Sequence, residues 1–292
     1  MGDAGYAQTQ LGHYDAARDA VQRMLDLRPG VPSFTRAEYV YELTGQVANA
    51  RAMLDEALAA AASPAAIAFC RIYLAELAFT NGDPAEALRQ VELGAAADPR
   101  NPDLLAGQAK AEAALGRTDA AVADYTRLVE SAPLLHYLVE AGDYFAAIGR
   151  QADARRADDL FAAQTTLLAA NGVQLDTDQA LFAADRGRPA DALAAAEAGL
   201  RNRPFVESQD AYAWALMANG RPADALAWAE KATSTGMRNA LFHFHKGMIE
   251  NALGRTDAAR ADLTTALAIN QYFSPRLAPV ARAALATLGG PR

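Results

Sequence analysis

The side chains that most often do chemistry in proteins are few in this chain, and their spacing does not suit a reaction centre. His243 and His245 lie two residues apart, which on a helix turns them about 200° away from each other, so they are poorly placed to share a metal ion. We expect one of them to pack between helices and the other to be solvated. Cys70, the only cysteine, has no histidine nearby in the sequence and is predicted to be a small buried hydrophobe.

Arrangements for acid–base or nucleophilic catalysis are missing as well. The adjacent carboxylates of Asp158 and Asp159 diverge by about 100° around a helix and are predicted to lie on a solvated face. No serine stands in a Gly-x-Ser-x-Gly turn, and no glycine-rich loop that could hold a phosphate is present. The sequence therefore predicts no catalytic residues, no metal site, no cofactor and no enzymatic activity.

The net charge argues against two classes of partner. Lys and Arg total 27 against 35 Asp and Glu, which gives a net charge of −8 at pH 7. Nucleic-acid binders gain affinity by neutralising phosphates, and anionic membrane surfaces repel an acidic protein. The sequence also has no run of the ~20 apolar residues that a membrane-spanning helix needs. We therefore expect no nucleic-acid partner and no direct membrane insertion.

A regularly spaced glycine organises the chain. The six residues from Gly116 recur from Gly254, and the seven residues from Gly187 recur from Gly220. Five residues after each repeat glycine stands an alanine, and seven residues before it stands Gly or Ala in every unit except one, which has Glu38. Small residues at such positions allow two helices to cross at close range. The complete series is Gly12, Gly45, Gly82, Gly116, Gly149, Gly187, Gly220 and Gly254.

Each unit is predicted to consist of a helix, a tight turn and a second helix. The glycine suits the left-handed conformation that follows a helix end, and Pro84, Pro189 and Pro222 suit the first turn of the next helix. The chain contains 73 alanines, which favour closely packed helices over a β-sandwich or barrel. One longer spacing is absorbed by a long second helix, predicted from Ala152 to about Ala170.

The pattern of small residue, glycine, alanine and closing proline, at a period near 34, resembles the tetratricopeptide repeat over residues 1–271. The resemblance implies an all-α, right-handed superhelical solenoid of eight helix–turn–helix repeats, and residues 272–292 are predicted to form a C-terminal capping helix. Because the first helix is short and has no preceding cap, we expect the native chain to continue upstream. The stretches from Gln8 to Phe34 and from Leu241 to Pro275 also resemble actinobacterial tetratricopeptide proteins, many of them exported or envelope-associated; a cytoplasmic location is the alternative.

In that family, the first helix of each unit lines an inner groove. The positions ten, six and three residues before the repeat glycine form one stripe on this helix. Members of the family that bind C-terminal carboxylates have Lys at the first and Asn at the second of these positions, and this chain has neither, so that mode of binding is not expected. The groove residues predicted from the stripe are Tyr39, Glu42, Glu76, Phe79, Lys110, Asp143, Trp214, Phe244 and Met248.

We interpret the chain as a non-enzymatic scaffold that binds a peptide or a partner protein in this groove. Glu42 and Glu76 beside Tyr39 and Phe79 predict a partner segment that carries Arg or Lys next to an apolar anchor. The alternative is a small-molecule-sensing domain of a bacterial regulatory protein, in which the groove closes on its ligand.

Overall fold

The computed structural model describes residues 2–173 and 177–289, and all regular secondary structure in these ranges is helical. The all-α fold class predicted from the sequence is thus confirmed. The helices of the described ranges are α1 (Gly2–Gln10), α2 (Tyr14–Leu27), α3 (Val31–Leu43), α4 (Val47–Ala59), α5 (Pro64–Thr80), α6 (Pro84–Ala97), α7 (Pro102–Ala114), α8 (Thr118–Ser131), α9 (Leu135–Ala147), α10 (Gln151–Ala170), α11 (Thr177–Asp185), α12 (Pro189–Asn202), α13 (Val206–Ala218), α14 (Pro222–Thr233), α15 (Ala240–Ala252), α16 (Thr256–Ile269) and α17 (Leu277–Thr287).

The repeat glycines turn the chain between the two helices of each pair. All eight have a positive φ, between 67° and 84°, a conformation that L side chains rarely adopt. At Gly116 the turn is a Schellman motif, because the Gly116 N–H donates to the Ala113 carbonyl at 3.1 Å and the Arg117 N–H donates to the Glu112 carbonyl at 2.9 Å. The predicted helix–turn–helix pattern is therefore present at each of these glycines.

The alanine five residues after each glycine faces the interior. All eight of these alanines are buried, with at most 7% of their surface exposed. The small residue seven positions before the glycine also lies at a helix crossing. At Gly247, an added Cβ would come within 2.8 Å of the Leu263 Cγ, so α15 and α16 can approach this closely only because the position has no side chain.

Ala192 allows a direct test of this packing. Its side chain is fully buried in a cluster with Ala180, Ala196 and Ala211. Replacing it with leucine inserts extra methylene groups between helices in contact, so we expect the free energy of unfolding to fall by about 1–3 kcal/mol. The control is leucine in place of the exposed Ala190 on the same helix, which should change the free energy of unfolding by less than about 0.5 kcal/mol. Urea denaturation measures the free energy of unfolding of both variants, and equal values would contradict the close packing of helices at Ala192.

The chain divides into two compact units. Unit 1 comprises Met1–Pro133 together with Gly236–Arg238, and unit 2 comprises Leu134–Thr235 and Asn239–Arg292. Unit 1 therefore contains α1–α8, and unit 2 contains α9–α17. The sequence predicts one continuous array, and the repeat spacing gives no sign of the boundary, because Gly116 and Gly149 are 33 residues apart, as are Gly12 and Gly45 within unit 1.

The longest described helix is α10, with 20 residues. It begins one residue before the start predicted from the sequence and ends before Asn171, whose backbone N–H donates to the Leu167 carbonyl. Neither α10 nor any other helix in the described ranges combines the length and the apolar character that crossing a membrane requires.

Candidate functional site

The two units hold different parts of the predicted groove. In unit 1, the predicted residues lie on α3, α5 and α7, which are the first helices of their pairs; we call them the unit 1 inner face, and they are Tyr39, Glu42, Glu76, Phe79 and Lys110. In unit 2 they lie on α9, α13 and α15; we call them the unit 2 inner face, and they are Asp143, Trp214, Phe244 and Met248.

The unit 1 inner face combines acidic and aromatic side chains that solvent reaches. Glu76 is exposed, and the other four residues of this face are half-buried. The Lys110 Nζ lies 5.6 Å from the centre of the Phe79 ring, which is within the range of a cation–π interaction. These side chains are therefore accessible to a partner.

Glu38 lies beside this face and is buried, with 3% of its surface exposed. It occupies the position on α3 where the other seven units have Gly or Ala. Burial, and after it the negative charges of Glu42 and Glu76, raise the pKa of Glu38 to about 9. Burial and the charges of Glu76 and Glu38 also raise the pKa of the Tyr73 phenol on α5. At pH 7, Glu38 is therefore a neutral acid next to two carboxylates.

Asp143 of the unit 2 inner face lies in an ionic network. The Asp143 Oδ1 accepts a hydrogen bond from Arg276 Nε at 2.8 Å and lies 2.9 Å from Arg186 Nη1. Arg186 also donates to both carboxylate oxygens of Asp158, at 3.2 and 2.8 Å. The prediction that Asp158 lies on a solvated face is therefore wrong, because Arg186 holds its carboxylate; Asp159 is exposed as predicted.

Trp214, which is half-buried, contacts a second set of polar groups in unit 2. Its indole Nε1 donates to Asp185 Oδ1 at 2.9 Å, and its ring stacks on the His245 imidazole with the centroids 4.3 Å apart. His245 is fully buried, and its Nδ1 bonds to Asp210 Oδ2 at 2.8 Å. Burial raises the pKa of Asp185 despite the bond from Trp214. His245 thus packs between helices, as the sequence predicts for one of the two histidines.

Phe244 lies in the interior of unit 2 and not on an open surface. It is 1% exposed and packs in a cluster with Leu263 and Leu277. Phe273, which precedes the capping helix α17, contacts it with the ring centroids 5.5 Å apart, and Met248 packs against the same cluster. The expectation that Phe244 faces a ligand is thereby corrected, because the end of the chain covers it.

His243 also differs from its prediction, since it is half-buried and bonded to a carboxylate. Its Nδ1 lies 2.6 Å from Asp262 Oδ1, and Lys246 Nζ lies 3.0 Å from Asp262 Oδ2. Burial alone would raise the pKa of Asp262, but the bonds from His243 and Lys246 lower it. Burial, together with the nearby charge of Asp262, raises the pKa of Glu250 to about 7.

Sequence reasoning missed Glu38, Arg186 and Arg276 as neighbours of the two inner faces. The signal for Glu38 was available, since it is the one departure from the column of small residues. No spacing rule points to Arg276, which is 133 residues from Asp143 along the chain. Across the described ranges, no three His, Cys, Asp or Glu side chains come together in a way that could hold a metal ion.

Protein-family models for the tetratricopeptide repeat match two parts of the chain. One model matches residues 177–237 and 213–272, and another matches residues 68–92. A search of curated proteins found no match. The solenoid of helix–turn–helix repeats is thereby confirmed as the fold class, and repeats of this kind generally mediate protein–protein interactions.

Several solved structures are distantly similar to the chain. A tetratricopeptide repeat protein from Parabacteroides merdae is 18% identical, with 89% of this chain and 99% of that chain covered and a TM-score of 0.48. The Cut9–Hcn1 hetero-tetramer of APC/C matches at 13% identity over 98% of this chain and 54% of that chain, with a TM-score of 0.49. The TPR2AB domain of yeast Sti1, in complex with pHSP90, matches at 12% over 99% and 96%, with a TM-score of 0.37. We draw no inference about a ligand from similarity at this level.

Proposed function

We propose that this chain, whose residues 68–92 and 177–272 are tetratricopeptide repeats, is a non-enzymatic scaffold that binds a segment of a partner protein on the unit 1 inner face. The segment carries Arg or Lys beside an apolar anchor, and Tyr39, Glu42, Glu76, Phe79 and Lys110 contact it. As part of this proposal, the chain acts in an exported or envelope location, with a cytoplasmic location as the alternative.

The difference between the two inner faces supports unit 1 as the binding site. In unit 2, the chain's own Arg276 and Phe273 contact Asp143 and Phe244. In unit 1, Glu76 is exposed and its neighbours on the face are half-buried. A partner can reach these side chains without displacing Arg276 or Phe273.

The chemistry of the unit 1 inner face supports a partner that is both basic and apolar. Carboxylates steer an approaching cation and set the register of the bound segment, whereas aromatic rings supply most of the buried contact area. At an ionic strength of 0.15 M, charges more than about 8 Å apart are largely screened, so only close pairs remain effective. Binding should therefore weaken as salt is added.

Reversing two charges on the unit 1 inner face tests the proposal. Glu42→Lys combined with Glu76→Lys should abolish retention of the partner, because the basic segment would then meet two cations, while the helical content by circular dichroism stays unchanged. The matched control is Glu92→Lys with Glu130→Lys, which makes the same change of net charge at exposed positions on α6 and α8. Equal retention by the two double variants would move the site to another surface, with α10 as the next place to examine.

A further inference from the structure

A short non-helical segment lies against the unit 2 inner face. Residues 271–276 join α16 to α17, and we call them the strap. The Phe273 ring of the strap packs on Phe244 with the centroids 5.5 Å apart, and Arg276 Nε donates to Asp143 Oδ1 at 2.8 Å. Because Asp143 lies on α9 and Phe244 on α15, the strap contacts the first and the last helix pair of unit 2.

Covering the end of the repeat array does not require the contact between Arg276 and Asp143. Leu277 and Leu285 of α17 already pack with Leu263 of α16, and burial of such apolar surface is what protects the last repeat of a solenoid. Arg276 instead makes a directed, charged hydrogen bond to a carboxylate 133 residues away. The strap therefore does more than connect α16 to the capping helix.

The strap can leave the inner face without exposing an unpaired buried charge. None of residues 271–276 is buried, and the Arg276 side chain is 31% exposed. Breaking a buried ion pair is strongly unfavourable when it leaves one partner unpaired. Asp143 keeps Arg186, whose Nη1 lies 2.9 Å from its Oδ1, after Arg276 has moved away.

The shape of the strap is fixed by its own turns. The Tyr272 N–H donates to Asn270 Oδ1 at 2.8 Å, and the Leu277 N–H donates to Ser274 Oγ at 3.1 Å. The ring of Pro275 further restricts the backbone. A separate peptide of the same sequence can therefore adopt this shape with a small loss of conformational entropy.

We propose that the strap is an autoinhibitory segment that covers a second peptide-binding site, on the unit 2 inner face. The partner of this site is a protein segment with an aromatic residue three positions before an arginine. Its ring takes the place of Phe273 on Phe244, and its guanidinium takes the place of Arg276 on Asp143. This inference goes beyond the proposed function, which concerns the unit 1 inner face alone.

The test uses the full chain and a blocked octapeptide, Asn-Gln-Tyr-Phe-Ser-Pro-Arg-Leu, which copies residues 270–277. Phe273→Ala combined with Arg276→Gln opens the site, and isothermal titration calorimetry compares this opened variant with the native chain. A tethered segment has an effective concentration on the order of 1 mM, so we expect the dissociation constant of the peptide to fall at least about tenfold once the strap no longer competes. The matched control, Val280→Ala with Arg201→Gln at exposed positions of unit 2, should bind the peptide like the native chain.

Two further titrations identify where the peptide binds. A peptide with citrulline in place of arginine should bind the opened variant at least about tenfold more weakly, because it lacks the charged hydrogen bond, and Asp143→Asn should remove this difference. The peptide also has the chemistry expected of the unit 1 partner. The comparison is therefore repeated with Glu42→Lys and Glu76→Lys added to both chains, and the gain in affinity on opening should persist.

Circular dichroism checks that the opened variant keeps its helices. If it does not, Arg276→Gln alone, which leaves Phe273 in its apolar cluster, replaces it, with an expected fall in the dissociation constant of at least about threefold.

Four results would overturn the proposal: no gain in affinity on opening, equal binding of the citrulline peptide, an arginine preference that Asp143→Asn leaves unchanged, or a gain that disappears when Glu42 and Glu76 are reversed. The last result would place the peptide on the unit 1 inner face. A failure of the proposed function leaves the first three comparisons unaffected, because they depend only on residues of unit 2.

Discussion

Replacing Arg186 with alanine should lower the free energy of unfolding of unit 2 by about 3 kcal/mol, the lower end of the cost of breaking a buried ion pair, because it removes the cation that the buried Asp143, which keeps Arg276, shares with the half-buried Asp158. The Arg186 side chain is 11% exposed and lies between Asp143 and Asp158, with N–O distances of 2.9 and 2.8 Å. Its guanidinium also lies 4.4 Å from the centre of the Phe182 ring. Burial, and to a smaller extent the charge of Asp143, raise the pKa of the neighbouring Asp185, whereas the charge of Arg186 lowers it.

The loss should appear first where Arg186 joins α9 and α10 to α11. Besides the ion pairs, this junction contains the stacked rings of Phe161 and Phe182, whose centroids are 3.8 Å apart. Hydrogen exchange should therefore show reduced protection in α9, α10 and α11 before the other helices of unit 2.

Arg188→Ala is the matched control for this variant. Arg188 is 46% exposed and lies 3.8 Å from the exposed carboxylate of Asp191, a surface pair that contributes about 0–1 kcal/mol. Urea denaturation of the two variants measures the difference. If both lose the same small amount of stability, the network around Arg186 does not hold these helices together.

Replacing Glu38 with glutamine should raise the free energy of unfolding of unit 1 by about 3 kcal/mol at pH 7. In the folded protein, burial and two neighbouring carboxylates give Glu38 a pKa of about 9, whereas its ordinary value is 4.5. Below the ordinary pKa both the folded and the unfolded chain carry the proton, and Glu38 lowers stability little. Between the two pKa values only the folded chain keeps the proton, so stability falls as the pH rises, by up to about 1.4 kcal/mol per pH unit.

Glutamine has no proton to lose, so the variant should not follow this dependence. The stability difference between Glu38→Gln and the native chain is measured by urea unfolding at several pH values. We expect the two to converge near pH 4, where both side chains are neutral, and to separate steadily up to about pH 9. Parallel stability curves from pH 5 to pH 9 would show that Glu38 is ionised in the folded protein.

The repeat architecture could be predicted from the sequence because it depends on contacts between residues close in the chain. A positive φ at Gly116 and a buried methyl at Ala121 follow from a turn and a helix pair about 34 residues long. The long α10 and the capping helix α17 follow from helical spacing in the same way.

Whether the side chains of the two inner faces are exposed or covered could not be predicted from the sequence. Glu76 and Asp143 have the same side-chain chemistry and the same position in their repeats, yet Glu76 is exposed and Asp143 is 8% exposed. What differs is the arrival of Arg276 over Asp143, a contact across 133 residues for which the repeat pattern contains no signal. The division into two units could not be predicted either, because the spacing of the repeat glycines across the boundary equals their spacing within unit 1.

Site-specific photocrosslinking tests most directly whether the partner lies on the unit 1 inner face. A photoreactive phenylalanine analogue replaces Phe79 in one variant and Leu93 in the other; Leu93 is 41% exposed on α6, the second helix of the same pair. We predict that the partner is crosslinked from position 79 and not from position 93, and that Glu42→Lys with Glu76→Lys abolishes the crosslink. Crosslinking from position 93 with none from position 79 would contradict binding at this face.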